Sequence, residues 1–140
     1  EGSMSIEWKP AIRTDSAGTE AFVDHNYNVY LGDELVAVLG NEGSWVECLI
    51  ADAAPKKVAL RACQAPEQVG NNSWTPFRKL RKVGDWWAFG LKRPAMNAGA
   101  DINFYGRRRE QRWPVDAQVE GNLVVIDFSR AMAEVDKCDP

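Results

Sequence analysis

The window from Trp74 to Trp113 interleaves ten basic residues with eight of the chain's fourteen aromatics: Trp74, Phe77, Trp86, Trp87, Phe89, Phe104, Tyr105 and Trp113. Lys and Arg neutralise phosphates and aromatic rings offer faces on which bases stack, so the mixture suits a groove for single-stranded nucleic acid or a nucleotide. Arg107, Arg108, Arg109 and Arg112 form its densest part. Like charges this close repel, and an anion or an acidic partner relieves them. The planar guanidinium also suits phosphate, because it donates two parallel hydrogen bonds. The expected ligand-binding set is Arg78, Lys79, Arg81, Lys82, Trp86, Trp87, Arg107, Arg108, Arg109, Arg112 and Trp113. On a strand, the neighbours Trp86 and Trp87 point to opposite faces, so one fills the core and the other is presented beside Arg78, Arg81 or Arg93.

The 140-residue chain carries a formal charge of −3, which argues against uniform coating of a polyanion. That total hides a division: residues 1–75, 76–112 and 113–140 carry −6, +7 and −4. The basic segment serves two classes of function. One is a non-enzymatic module for a phosphate-bearing ligand, either nucleic acid or a cyclic dinucleotide. The other is a protein-interaction module that docks an acidic protein or assembles a homo-oligomer. A plainer role also fits, since strands bury aromatics and the acidic remainder of the chain can neutralise cations.

Catalytic patterns are sparse. His25 is the single histidine, and a Cys48 or Cys63 nucleophile with His25 as base is the one enzymatic arrangement that the composition offers. Both cysteines fall on expected strands, where a thiol behaves as a small apolar group. Cys48, Cys63 and Cys138 form no Cys-x-x-Cys pair, so neither a metal nor a cofactor is expected. Asp33-Glu34 reads as turn chemistry, and Gly40 to Gly43 lacks the Lys-Ser or Lys-Thr of a phosphate loop. Tyr27, Tyr30 and Trp45 would make a cage for methylated Lys or Arg if they converged.

The stretch Arg107-Arg108-Arg109-Glu110-Gln111-Arg112-Trp113-Pro114-Val115-Asp116 resembles the opening motif of PilZ domains, with Arg108 and Arg112 at that family's R-x-x-x-R spacing. Asp127-Phe128-Ser129 is similar to the start of the family's D-x-S-x-x-G motif, with Met132 at the glycine position. The resemblance implies cyclic di-GMP as ligand, held by these arginines and by Asp127 and Ser129. It also implies a barrel, with Gly32 to Arg61 standing where a small amino-terminal barrel precedes PilZ in flagellar-brake proteins.

Positioning these residues requires a scaffold of short strands. Gly, Pro and Asn punctuate the chain at close intervals, and the stretches between them suit strands: 6–13, 27–31, 35–39, 45–51, 57–63, 86–91, 102–105, 117–119 and 123–128. Leu35 to Leu39, Trp45 to Leu49 and Val58 to Leu60 make a meander of the SH3-like or Tudor-like kind. Thr14 to Asp24 is a candidate helix, and Ser129 is placed to cap a short last helix with Ala131, Met132 and Val135 on one face. The expected fold is mainly β, a small SH3-like or Tudor-like barrel or a β-sandwich with a short C-terminal helix. Residues 1–3 read as a cloning scar and 4–140 as one β-rich domain, with sub-units at 27–65 and 74–140 on either side of the polar loop 64–73. No targeting signal or membrane-length apolar run occurs in the chain as given, so the cytoplasm is the expected compartment and no membrane partner is expected.

Overall fold

The computed structural model describes residues 18–67, 75–104 and 110–137. Ten strands follow in chain order: β1 (Ala21–Val23), β2 (Asn28–Leu31), β3 (Trp45–Leu49), β4 (Lys57–Cys63), β5 (Phe77–Lys79), β6 (Lys82–Val83), β7 (Trp86–Gly90), β8 (Trp113–Pro114), β9 (Asp116–Glu120) and β10 (Leu123–Asp127). Three helices lie wholly within the described residues: α1 (Asp33–Val36), α2 (Lys92–Asn97) and α3 (Ser129–Lys137); Gly18 and Thr19 are also helical. The strands form two antiparallel sheets of five, ordered β6-β7-β2-β1-β8 and β5-β3-β4-β10-β9. Each sheet takes strands from both sides of the loop 64–73.

Neither sheet closes, which corrects the barrel expectation. The first ends at two-residue strands, one of them carrying Pro114, and proline has no N–H with which to continue a ladder. The meander reading fails for a related reason. Leu35, Ala37 and Leu39 alternate as a strand would, but Leu35, Val36 and Leu39 are the buried residues, while Val38 is 39% exposed. That is helical spacing, and the segment folds as α1 and a following turn.

Elsewhere alternation predicts strands well. Val58 and Leu60 of β4 and Val124 and Ile126 of β10 face inward, paired as Leu60↔Val124 and Val58↔Ile126. Two hairpins turn on glycine: Val83↔Trp86 leaves Gly84-Asp85 as the loop, and Leu123↔Glu120 leaves Gly121-Asn122. Gly84 at φ 63° and Gly121 at φ 65° adopt the left-handed conformation that such two-residue turns need at their first position. Residues of both sheets meet in one apolar cluster centred on Val29, Leu31, Phe89, Leu60, Ile126 and Phe128.

Several further expectations are met only in part or corrected. Of the candidate helix 14–24, Gly18 and Thr19 are helical and residues 21–23 form β1, with 14–17 outside the described residues; residues 102–104 have no strand pairing. The last helix holds Ala131 and Val135 in the core with Met132 against it. Ser129 is its first residue rather than its cap, and the Ser129 N–H is taken up by Asp127 Oδ1 at 2.9 Å. Among the described residues no helix is long and apolar enough to cross a membrane.

Candidate functional site

The inward face of the first sheet carries Val23, Val29, Leu31 and Phe89, so Phe22 and Tyr30 lie on its outward face. Register aligns Pro114, Phe22, Tyr30 and Ala88 in one row across β8, β1, β2 and β7. Arg81 extends the row, since its carbonyl accepts the Ala88 N–H at 3.0 Å. Phe22, Tyr30, Val83, Trp86 and Arg112 line an open groove of about 410 Å³ on this face, towards the lower end of the ~300–1,000 Å³ usual for small-molecule sites.

Specific contacts hold four of the five lining side chains. Phe22 and Trp86 meet edge to face, with centroids 5.5 Å apart and an interplanar angle of 79°. Arg112 carries its guanidinium over the Tyr30 ring, 4.9 Å from the centroid. Tyr30 is anchored through its hydroxyl, which donates to Asp24 Oδ2 at 3.0 Å.

Asp24 organises the hairpin beneath. Its Oδ1 accepts the backbone N–H groups of Asn26 at 2.9 Å and Asn28 at 3.0 Å, and its Oδ2 also accepts the Asn28 side-chain amide at 3.1 Å. Burial opposes its ionisation, but the Asn28 and Asn26 backbone donors, with the Asn28 amide and Tyr30 hydroxyl, outweigh it. The carboxyl is therefore held below its ordinary 3.8. Burial, and then Asp24, raise the Tyr30 hydroxyl above its ordinary 10.0, against the smaller opposing effect of the Arg112 and Arg81 charges. The same turn forces Tyr27 to φ 61°, a conformation that stores roughly 1–3 kcal/mol of strain. The Tyr27 hydroxyl accepts the Ile102 N–H at 2.7 Å, which fastens the turn to the loop after α2.

The sequence-predicted residues disperse. Arg81, Trp86 and Arg112 belong to the outward face of the first sheet. Arg78 is turned between the sheets, donating to the carbonyls of Gly90 at 2.6 Å, Thr75 at 2.5 Å and Phe77 at 2.8 Å. Lys79 sits on β5 opposite Trp45 in the second sheet. Lys82 lies over the Trp87 ring at 5.5 Å and pairs with Asp33 at 3.6 Å, while Trp87 Nε1 donates to the same Asp33 oxygen at 2.7 Å. Trp87 packs against the core and Trp86 lines the groove, the division that adjacency on a strand requires. Trp113, expected to stack on a base, is 4% exposed and packs on Phe104 at 5.2 Å. Its inward turn follows from its pairing with the inward-facing Val23. Arg107, Arg108 and Arg109, with Trp74 and Tyr105, lie outside the described residues.

Other arrangements do not assemble. Tyr27 is buried, Tyr30 faces the groove and Trp45 belongs to the second sheet, so no cage forms among them. Asp127 lines a separate groove with Lys57, Asp116 and Gln118 of the second sheet, apart from Arg112. Cys48 and His25 line different grooves; burial pushes the Cys48 thiol up to about 11, which keeps it protonated and weakly nucleophilic at neutral pH. His25 Nδ1 is buried with no hydrogen-bond partner among the described residues. Those residues contain no cluster of three or more metal-ligating side chains. Sequence reasoning overlooked Phe22, Val83 and Asp24 as groove-forming residues; the outward phase of Tyr30 between Val29 and Leu31 was the available signal. Comparison with protein-family profiles, curated proteins and solved structures finds no match.

Proposed function

We propose that this protein is a binding module whose aromatic groove takes a phosphate-bearing ligand that contains a nucleobase. The observation that carries the reading is Tyr30, fixed by Asp24 with the Arg112 guanidinium over its ring, and with Arg81 in the same cross-strand row. A ring offers stacking to any base, and guanidiniums beside it offer charge-assisted bonds to phosphate oxygens. The ligand is a nucleic-acid strand or a cyclic dinucleotide.

The two sources separate by titration of a labelled oligothymidine and of cyclic di-GMP at increasing salt. Strand affinity falls steeply with salt in proportion to the phosphates contacted, whereas a dinucleotide saturates one compact site. Replacing Arg81 and Arg112 together by Ala is expected to weaken whichever ligand binds by at least tenfold, the loss of one or more charge-assisted bonds of ~1.5–3 kcal/mol. Unchanged affinity for both ligands in the double variant overturns the reading.

A further inference from the structure

We propose that Arg112 is a placeholder for the ligand's base. Its guanidinium lies over the Tyr30 ring, and an incoming nucleotide takes that ring with its base while Arg112 turns to the phosphate. This inference rests on the binding reading above and adds the order in which the groove's parts are used.

Three observations support it. Phe22 and Trp86 are committed to each other edge to face, whereas Tyr30 presents its ring face to a partner, and that partner is the Arg112 guanidinium. A planar delocalised cation and a planar base are alternative stacking partners for one tyrosine face, so they compete for it. Tyr30 is held from beneath by its hydroxyl bond to Asp24, while Arg112 lies exposed at the rim on a long side chain that also donates to the neighbouring Gln111 carbonyl at 3.1 Å; the exchange moves the exposed side chain and leaves the anchored ring in place. At about 410 Å³ the groove is sized for a single nucleotide unit, which either a strand or a cyclic dinucleotide supplies.

Adenosine and adenosine 5′-monophosphate, titrated by NMR, test the exchange, because stacking is tolerant of base identity. In the variant Arg112→Ala the competitor for Tyr30 is gone. Adenosine is expected to bind about two- to fivefold more tightly, matching a cation–π contact at an exposed site, while the monophosphate binds about tenfold more weakly for want of its phosphate donor. Arg112→Gln, which retains a long polar side chain, provides a second variant with the same expected signs. Opposite changes for the two probes support the exchange. Monophosphate binding that weakens while adenosine is unmoved overturns the placeholder role and leaves the binding reading standing. Absence of binding by wild-type protein to either probe, to oligothymidine and to cyclic di-GMP overturns both.

Discussion

Replacing Asp24 by Asn keeps the side chain's shape and removes its charge, which makes it a direct test of how the hairpin under the groove is held. In the wild type four hydrogen bonds end on this buried carboxylate. An asparagine oxygen at the Oδ1 position keeps the Asn26 and Asn28 backbone donors but without charge assistance. Its amide nitrogen opposes the Asn28 amide, donor against donor, and forces the Tyr30 hydroxyl to accept instead of donate. Two weakened bonds and one lost bond cost about 3 kcal/mol, which lowers Tm by roughly 10 °C in a chain of this size. Acid supplies the sign. The folded carboxyl lies below 3.8, so the unfolded chain binds the proton more readily. The contribution of Asp24 is therefore complete above the unfolded value and disappears as pH falls through the folded one. Thermal and urea melts of both proteins, from neutral pH into acid, should show a gap that is widest near neutrality and closes in acid. Equal stability at neutral pH, or a gap that persists unchanged in acid, would refute this account of the turn.

Two further perturbations separate core from groove and test the buried thiol. Trp113→Ala should destabilise by about 3–5 kcal/mol in urea unfolding because it empties a core site, whereas Trp86→Ala should cost roughly 1 kcal/mol, the worth of its edge contact with Phe22; similar losses for the two would show that Trp86 is structural. In a protein with Cys63 and Cys138 replaced by Ser, alkylation of Cys48 should be slow at neutral pH and accelerate about tenfold per pH unit towards the thiol's value of about 11. Rapid labelling at neutral pH would contradict its burial.

The second sheet was largely legible in the sequence, because β3, β4 and β10 place apolar residues inward at every second position between Gly- and Pro-containing turns. Leu35 to Leu39 satisfied a two-residue and a helical period at once, and only the burial of Val36 in place of Ala37 decides between them. The candidate site was legible as residue types but not as a place. Arg78 looked like a ligand cation in a basic window, yet the carbonyls of Thr75, Phe77 and Gly90 engage it between the sheets. Phe22, Tyr30, Val83, Trp86 and Arg112 come together because β7, β2, β1 and β8 are spatial neighbours, and that strand order involves long-range pairing invisible to any local window.

The pleat of β7 gives Trp86 and Trp87 separate duties, one turned to the groove and one to the core and the Asp33 carboxylate. Variation at position 86 can therefore reshape the groove while the interior stays the same. Insertion or loss of one residue ahead of the pair exchanges the two duties, sending a groove residue inward and exposing the one that Asp33 holds. The length of the Gly84-Asp85 turn is thus under tighter constraint than the identity of the tryptophan that follows it.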